Sequence, residues 1–331
     1  MGNGNAGWPA VVSLGEVLID FVALESDVPL QAASTFHRAA GGAPANVAVA
    51  LARLGTASAF LGKVGGDAFG RSLRQMLAAE GVDVRGVIED PAARTALAFV
   101  GANEHGGRSF VFYHAGMADT LLRPEEVDRD LIANASVFHF GSVTLAAEPS
   151  RSATLEAANW ARQRGCLVSF DPNVRLELWD SPQRARDTIL ETLGVADTVK
   201  LSADEIEFLT GSSDPAEACL RLREHGPAFA VVTLGDSGCY YAATTSSGYV
   251  PGIPVKAVDS LGAGDAFVGG MLAGLAAAPN AVSSADAQAL GSMLSLANAV
   301  GALATARHGA IPALPTRAEV EQLLAQGAVS V

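Results

Sequence analysis

Between an extended stretch and an apolar one the chain runs Asp-Ser-Leu-Gly-Ala-Gly-Asp-Ala-Phe-Val-Gly-Gly, residues 259–270. Gly262, Ala263 and Gly264 strip the backbone nearly bare, and a carboxylate, Asp265, follows at once. Downstream, Phe267, Met271 and Leu275 recur every four residues on one helical face, while Gly270, Ala273 and Gly274 keep another face small enough for close packing. Gly262-Ala263-Gly264 is therefore the first turn of a buried helix, where free backbone N–H groups and the positive end of the helix dipole form a site for an anion. A carboxylate beside a bound phosphate is unfavourable unless it does chemistry. As a general base, Asp265 would take the proton of an attacking hydroxyl while the helix N-terminus stabilises charge on a transferred phosphoryl group. The competing reading is a glycine-rich helix start with Asp265 as its cap.

Two other glycine-rich stretches fail that test. Gly2-Asn3-Gly4-Asn5-Ala6-Gly7 fits the dinucleotide pattern G-x-G-x-x-G, yet it precedes the first strand and opens no helix, and reads as a tail. Gly65 to Ser72 approximates a phosphate loop, but Arg71 replaces the required Lys and Asp67 would repel phosphate.

The elements that must position the 262–265 turn alternate along the chain. Residues 10–24 form one long extended run with Gly15 as a break or bulge. Residues 44–55 read as a helix, with Pro44 in its first turn, Val47, Leu51 and Leu54 on one face and Gly55 at its end. Buried strands are expected within 136–143, 167–174 and 228–235, with a helix from about 150 to 165 and a late apolar helix over 292–305. That order predicts a mostly parallel sheet covered by helices on both faces. Residues 95–116 break the pattern as two alternating runs around Asn-Glu-His-Gly-Gly, a β-hairpin with Gly106-Gly107 in its turn. It is read either as a flap closing over a site, with Phe110 and Phe112 on one face, or as an edge of the main sheet.

At 331 residues with 49% hydrophobic and 17% charged content, the chain can bury a substantial core as a single domain over 1–331. A formal net charge of −13 argues against nucleic acid, which needs a Lys/Arg surface. An acidic protein still binds nucleotides at a local site with Mg²⁺. Cys166, Cys219 and Cys239 are odd in number and unclustered, as ordinary thiols of a reducing compartment are. The N-terminus lacks a basic segment followed by an apolar core, and Ala6 stands where a myristoylation signal needs Ser or Thr. No apolar run reaches the length of a membrane helix. A soluble cytoplasmic protein with no membrane partner is expected.

Several blocks, in one order, resemble the ribokinase-like sugar kinases, the phosphofructokinase-B family. Residues 41–55 look like its N-terminal signature and 259–270 like its C-terminal one, with Gly-Lys-Val-Gly-Gly-Asp-Ala-Phe-Gly (62–70), Phe-Asp-Pro-Asn-Val-Arg (170–175) and Val-Val-Thr-Leu-Gly-Asp-Ser-Gly (231–238) between them. The resemblance spans about Val11 to Pro315. It implies a ribokinase-like α/β fold, with a central mostly parallel sheet, helices on both faces, and a small β lid from about 15–24 and 94–115.

By motif, Asp265 matches the family's catalytic base, and Gly262, Ala263 and Gly264 its anion hole. Asp20, Gly41, Gly42 and Asn46 match the sugar-binding set; a carboxylate and an amide can grip vicinal hydroxyls, and a glycine pair permits close approach. Asn46 alone would read as a polar residue at a helix start. Arg175 resembles a position at the substrate and phosphate end of the cleft, though an isolated Arg after a strand is more often solvated. Thr233, Gly235 and Gly238 resemble the nucleotide loop, and Asn298 falls on the adenine side. The family's N-x-x-E motif, which places Mg²⁺ through water, is here Ser202-Ala203-Asp204-Glu205: Glu205 remains and Ser202 replaces Asn. Glu207 reads as a solvated helix charge. By analogy alone, Asp259, Leu261, Ala304, Gly309 and Ala313 match the carbonyl site for a monovalent cation such as K⁺.

Residues 106–122, 138–157, 170–182 and 199–211 look like the corresponding blocks of fructokinases, including the Ser202 departure. The expected activity is ATP-dependent phosphorylation of D-fructose at O6. The alternatives are another sugar or sugar acid, such as ribose or 2-keto-3-deoxygluconate, and, further off, a catalytically dead sugar sensor, which the intact Asp265 turn argues against. With 6% aromatic content and no stacking cluster near the sugar motifs, a nucleoside acceptor has little to rest on. The resemblance also raises a homodimer through the lid.

Overall fold

The computed structural model describes residues 7–25, 28–102, 108–284 and 286–328. The motif at Gly2–Gly7, apart from Gly7, and the hairpin turn with Gly106-Gly107 lie outside them. Two sheets organise the chain. The larger has nine strands in the spatial order Ser247–Pro251, Gly238–Ala242, Phe229–Thr233, Thr198–Ser202, Leu167–Asp171, Val137–Gly141, Val11–Leu14, Ser58–Gly65, Val87–Asp90. All neighbours from Phe229–Thr233 to Val87–Asp90 run parallel, and Gly238–Ala242 alone runs the other way, pairing antiparallel with Phe229–Thr233 and with Ser247–Pro251.

The central strands are buried on both sides, as helices covering two faces of the sheet require. Within Phe229–Thr233, Phe229 and Val231 enter the core beneath the Ala263–Ala277 helix, while Ala230 and Val232 enter the opposite core with Leu209 and Leu222. The Ala43–Arg53 helix starts with Pro44 in its first turn, as expected, and Gly55 leaves it at φ 78°. The late helix, Ala287–Thr305, is apolar and long enough to cross a bilayer by composition, contrary to the reading from apolar runs. It packs along Ala263–Ala277 instead, burying Leu290, Met293, Leu294 and Ala297.

The extended run at 10–24 is two strands rather than one. Val11–Leu14 belongs to the large sheet, and after a three-residue step Leu18–Ala23 enters a four-stranded sheet with the order Phe36–Gly41, Leu18–Ala23, Leu97–Ala102, Arg108–Tyr113. The two hairpin strands therefore form part of this separate small sheet and do not extend the edge of the large one. Phe36–Gly41 was not anticipated as a strand: Phe-His-Arg-Ala-Ala-Gly carries no period-two pattern, and its pairing with Leu18–Ala23 imposes the extended form. Because Leu18–Ala23 continues directly from a central strand, the small sheet stands over the ends of the large one.

Candidate active site

Parallel strands end at Leu14, Asp171 and Ser202, and ligand crevices in such sheets open beyond those carboxyl ends. A cleft of about 730 Å³ lies there, walled by Leu18, Asp20, Phe110 and Phe112 of the small sheet and by Asn46, Asn173, Lys200, Glu205 and Asp265 of the body. Phe110 and Phe112 stack with centroids 5.8 Å apart on the cleft face of the hairpin.

The turn read from the sequence sits at its floor. Gly262 caps the Ala263–Ala277 helix at φ 77°, a left-handed conformation, and a Cβ there would come within 2.9 Å of Ala310 Cβ. Glycine is required on both counts. Asp265 is the third residue of the helix and only 8% exposed. Asn46 Nδ2 donates to its Oδ2 at 2.7 Å, and Asn173 Nδ2 to its Oδ1 at 3.4 Å. Burial lifts the Asp265 pKa to about 6. The Asn46 hydrogen bond opposes that rise, the nearby Asp171 charge adds to it, and Lys200 and Arg175 pull it down.

Lys200, Asp171 and Asn173 were not singled out from sequence. Lys200 Nζ and Asp171 Oδ2 lie 3.1 Å apart, buried on adjacent strands. Burial works against the ammonium charge, but Asp171, Glu205 and Asp265 hold Lys200 above the ordinary lysine range. A Cβ on Gly264 would lie 3.2 Å from Lys200 Nζ, so this cation sits beside the helix turn. Asn173, at φ 43°, donates its N–H to Asp171 Oδ1 at 3.1 Å. A lysine between Val199 and Leu201 in a buried strand was the signal available for this pair.

Asp20 projects from Leu18–Ala23 into the cleft, and a Cβ at Gly41 would strike its carboxylate. Gly42 begins the Ala43–Arg53 helix at φ 109° and lines the cleft with Asn46. Arg175 donates Nη1 to Val174 O at 2.9 Å and lies 5.8 Å from the Phe110 ring, so it is not a solvated arm. Glu16, also missed, is 4% exposed in the step between the two sheets; burial lifts its pKa to about 7, while the Ala43 N–H it accepts at 2.9 Å opposes the rise. Beside it, His114 Nε2 and Asp119 Oδ2 lie 2.5 Å apart, both buried.

Thr233, Gly235, Gly238 and Asn298 gather at the neighbouring end of the large sheet, outside this cleft but adjoining it, since Thr233 pairs with Ser202. Gly235 and Gly238 take φ 62° and 97° around a short turn, and Thr233 Oγ1 donates to Leu201 O at 3.3 Å. Asn298 Nδ2 is spent on Val250 O and Pro251 O, at 3.1 and 3.0 Å, tying the late helix to the edge strand.

Among the described residues no three His, Cys, Asp or Glu side chains cluster to hold a metal directly. The Glu205 carboxylate accepts Val174 N at 2.7 Å on one oxygen, and Ser202 N and Oγ at 2.8 and 2.9 Å on the other. With each oxygen already bonded, Glu205 suits a role through water, and the hard oxygens of Glu205 and Asp204 on the cleft wall fit Mg²⁺. Glu207 is exposed. Asp259 joins the two loops of the monovalent-cation reading, accepting Leu261 N on one oxygen and Gly309 N on the other, both at 2.9 Å. Ala304 and Ala313 are buried nearby at the end of the late helix and in the Ile311–Ala313 turn. The Asp259 contacts bring the loops of residues 259–261 and Gly309 together at one carboxylate.

A buried carboxylate in a helix N-terminal turn at the floor of a cleft is an arrangement suited to phosphoryl transfer. Residues 9–317 match the pfkB family carbohydrate kinase, and the chain belongs to that family. Its sequence is similar to Fructokinase-1 of Zea mays, 48% identical over 320 residues that cover 96% of this chain and 98% of the relative. Two solved structures are similar throughout. Fructokinase with bound ATP from Xylella fastidiosa has a TM-score of 0.88 at 37% identity, covering 96% of this chain and 98% of that one. Fructokinase from Vibrio cholerae O395 in fructose, ADP and calcium ion bound form has a TM-score of 0.84 at 38% identity, covering 95% and 98%.

Proposed function

We propose that this carbohydrate kinase transfers the γ-phosphoryl group of ATP to O6 of D-fructose, giving fructose 6-phosphate and ADP. The observation that carries the chemistry is Asp265, buried in an anion-binding helix turn and facing the same cleft as Asp20 and Asn46. Asp20, Gly41, Gly42, Asn46 and Arg175 hold the sugar. Asn46 and Asn173 aim the Asp265 carboxylate at the attacking hydroxyl. As the sugar oxygen bonds to phosphorus and the bond to the ADP oxygen breaks, the hydroxyl proton passes to Asp265. The Ala263 N–H already donates to Ser260 O at 3.2 Å, so the N–H groups of Gly262 and Gly264, with Lys200 beside the turn, stabilise the charge on the transferred group. ATP reaches the turn from the Thr233, Gly235, Gly238 and Asn298 end. Mg²⁺, when bound, neutralises phosphate charge, and Glu205 with Ser202 would orient its waters; a monovalent cation such as K⁺ would be held by carbonyls around Asp259, Leu261, Ala304, Gly309 and Ala313. The four fructokinase-like sequence blocks and the fructokinase relatives support fructose as the acceptor.

In a panel of fructose, ribose, glucose and 2-keto-3-deoxygluconate with ATP, fructose should give the highest kcat/KM by ADP release. A clear win for another acceptor would overturn the fructose assignment, and absence of turnover on all would favour a sensor. The base must be ionised to act, and kcat/KM reports groups of the free enzyme. It should therefore fall about tenfold per pH unit below about 6, where Asp265 takes up a proton. A profile flat from pH 5 to 8 would contradict that.

The outer face of the small sheet supports a homodimer. Phe21, Phe36, Phe99 and Tyr113 form one ring cluster there, and Val111 and Tyr113 are 45% and 58% exposed. A second copy meeting this face would cover an aromatic patch otherwise left in water. Light scattering should give a dimer mass that Tyr113→Glu reduces to a monomer; a monomeric wild type at tens of micromolar would refute it. A cytoplasmic location is supported by the three buried, unpaired cysteines.

A further inference from the structure

The step between the two sheets places a carboxylate, Glu16, on the wall of the cleft. Its Oε1 accepts the Ala43 N–H at 2.9 Å, which fixes the side chain against the start of the Ala43–Arg53 helix. Its Oε2 is buried and has no hydrogen-bond partner among the described residues. Asn46 shows the same pattern: Nδ2 is committed to Asp265, while Oδ1 is buried without a partner. Ala43 and Asn46 both belong to the first turn of the Ala43–Arg53 helix, and Glu16 and Asn46 both line the cleft. Buried polar atoms left unpaired cost free energy, and native proteins retain few of them. Two unpaired acceptors lining one cleft call for a ligand that brings donors, and hydroxyl groups are donors. The neighbouring imidazole does not meet this need, because His114 Nε2 lies 2.5 Å from Asp119 Oδ2.

We infer that Glu16 is a further sugar-binding residue: with Oε1 tied to Ala43, its Oε2 accepts a hydrogen bond from one hydroxyl of the bound sugar. Acceptors lacking that hydroxyl leave a buried carboxylate oxygen unsatisfied and are rejected, which makes Glu16 a determinant of specificity. A carboxylate that merely caps the helix through Oε1 would make no such distinction. The inference rests on the sugar-kinase reading, and phosphorylation of fructose by the wild type tests that reading separately.

Glu16→Gln keeps the shape and the Oε1 contact with Ala43 but replaces the acceptor oxygen with an amide donor. At pH 8, above the pKa of about 7 at which Glu16 ionises, a hydrogen bond to a charged group contributes enough that KM for fructose should rise about 10- to 100-fold, with the loss falling on KM more than on kcat and KM for ATP within about threefold. A series of monodeoxy fructoses gives the second readout. One analogue that the wild type disfavours by about tenfold or more should be disfavoured by less than about threefold in Glu16→Gln, because the partner of the missing hydroxyl is gone in both cases. If Glu16→Gln does not fold, Glu16→Asp, which withdraws the carboxylate by one methylene, carries the same comparison. A folded variant with KM for fructose within threefold of wild type, or one whose losses across the deoxy series parallel the wild type's, would overturn the inference.

Discussion

Asp265→Asn should lower kcat by roughly 10²–10⁴-fold, the usual contribution of a positioned base, while the protein folds and binds nucleotide. Asparagine preserves the shape and can still accept the Asn46 amide hydrogen bond, yet it cannot take the sugar proton. Nucleotide affinity should hold or improve, since a negative charge near the transferred phosphate is gone. Stability separates catalysis from capping. The Asp265 pKa is raised from 3.8 to about 6 in the folded protein. Its contribution to stability is therefore fully present below about pH 4 and is lost as pH rises through 6. At pH 8 the ionised, buried carboxylate is a burden that asparagine removes, so the variant's Tm should equal or exceed wild type. If Asp265 served only as a cap, Asn would cap as well and activity would survive. A folded variant keeping more than about a tenth of wild-type kcat ends the general-base role, given the 10²-fold floor.

Lys200→Met should cost about 3–5 kcal/mol of folding stability, because it strands a buried Asp171 carboxylate without its cation. Both side chains are only 6% exposed, so solvent screens the pair little. Adding Asp171→Asn to Lys200→Met should recover most of that loss: the amide keeps an oxygen for the Asn173 N–H without a charge that needs a partner. Catalysis should suffer as well. Lys200 holds the Asp265 pKa down, so its removal should move the acid limb of kcat/KM above pH 6. Urea unfolding of the single and double variants decides the matter. A single-variant loss under about 1 kcal/mol would mean the pair is not buried as described.

What was legible in the sequence was what local pattern determines. The Gly262-Ala263-Gly264-Asp265 turn could be read because glycine, small residues and a helical apolar repeat sit together within seventeen residues of chain, 259–275. The central strands announced themselves as short apolar runs, and the hairpin strands by alternation. The Lys200–Asp171 pair was hidden because its members are 29 residues apart and meet only when Leu167–Asp171 and Thr198–Ser202 become neighbours. Glu16 looked like one polar residue in a long extended run, and its position became meaningful only once that run split between two sheets. Phe36–Gly41 gave no signal because its partner strand, rather than its own side chains, makes it a strand. Asn298 matched a nucleotide position by motif, while its amide bonds two carbonyls of its own chain.

The central claim, phosphoryl transfer from ATP to a sugar hydroxyl, is tested most directly by ³¹P NMR of one reaction containing the protein, Mg²⁺, ATP and D-fructose. The account predicts a hexose 6-phosphate resonance growing in step with ADP, one for one, with inorganic phosphate remaining at the level seen without protein. ATP consumed to inorganic phosphate alone, an ester at carbon 1, or no loss of ATP over the protein-free control would contradict it.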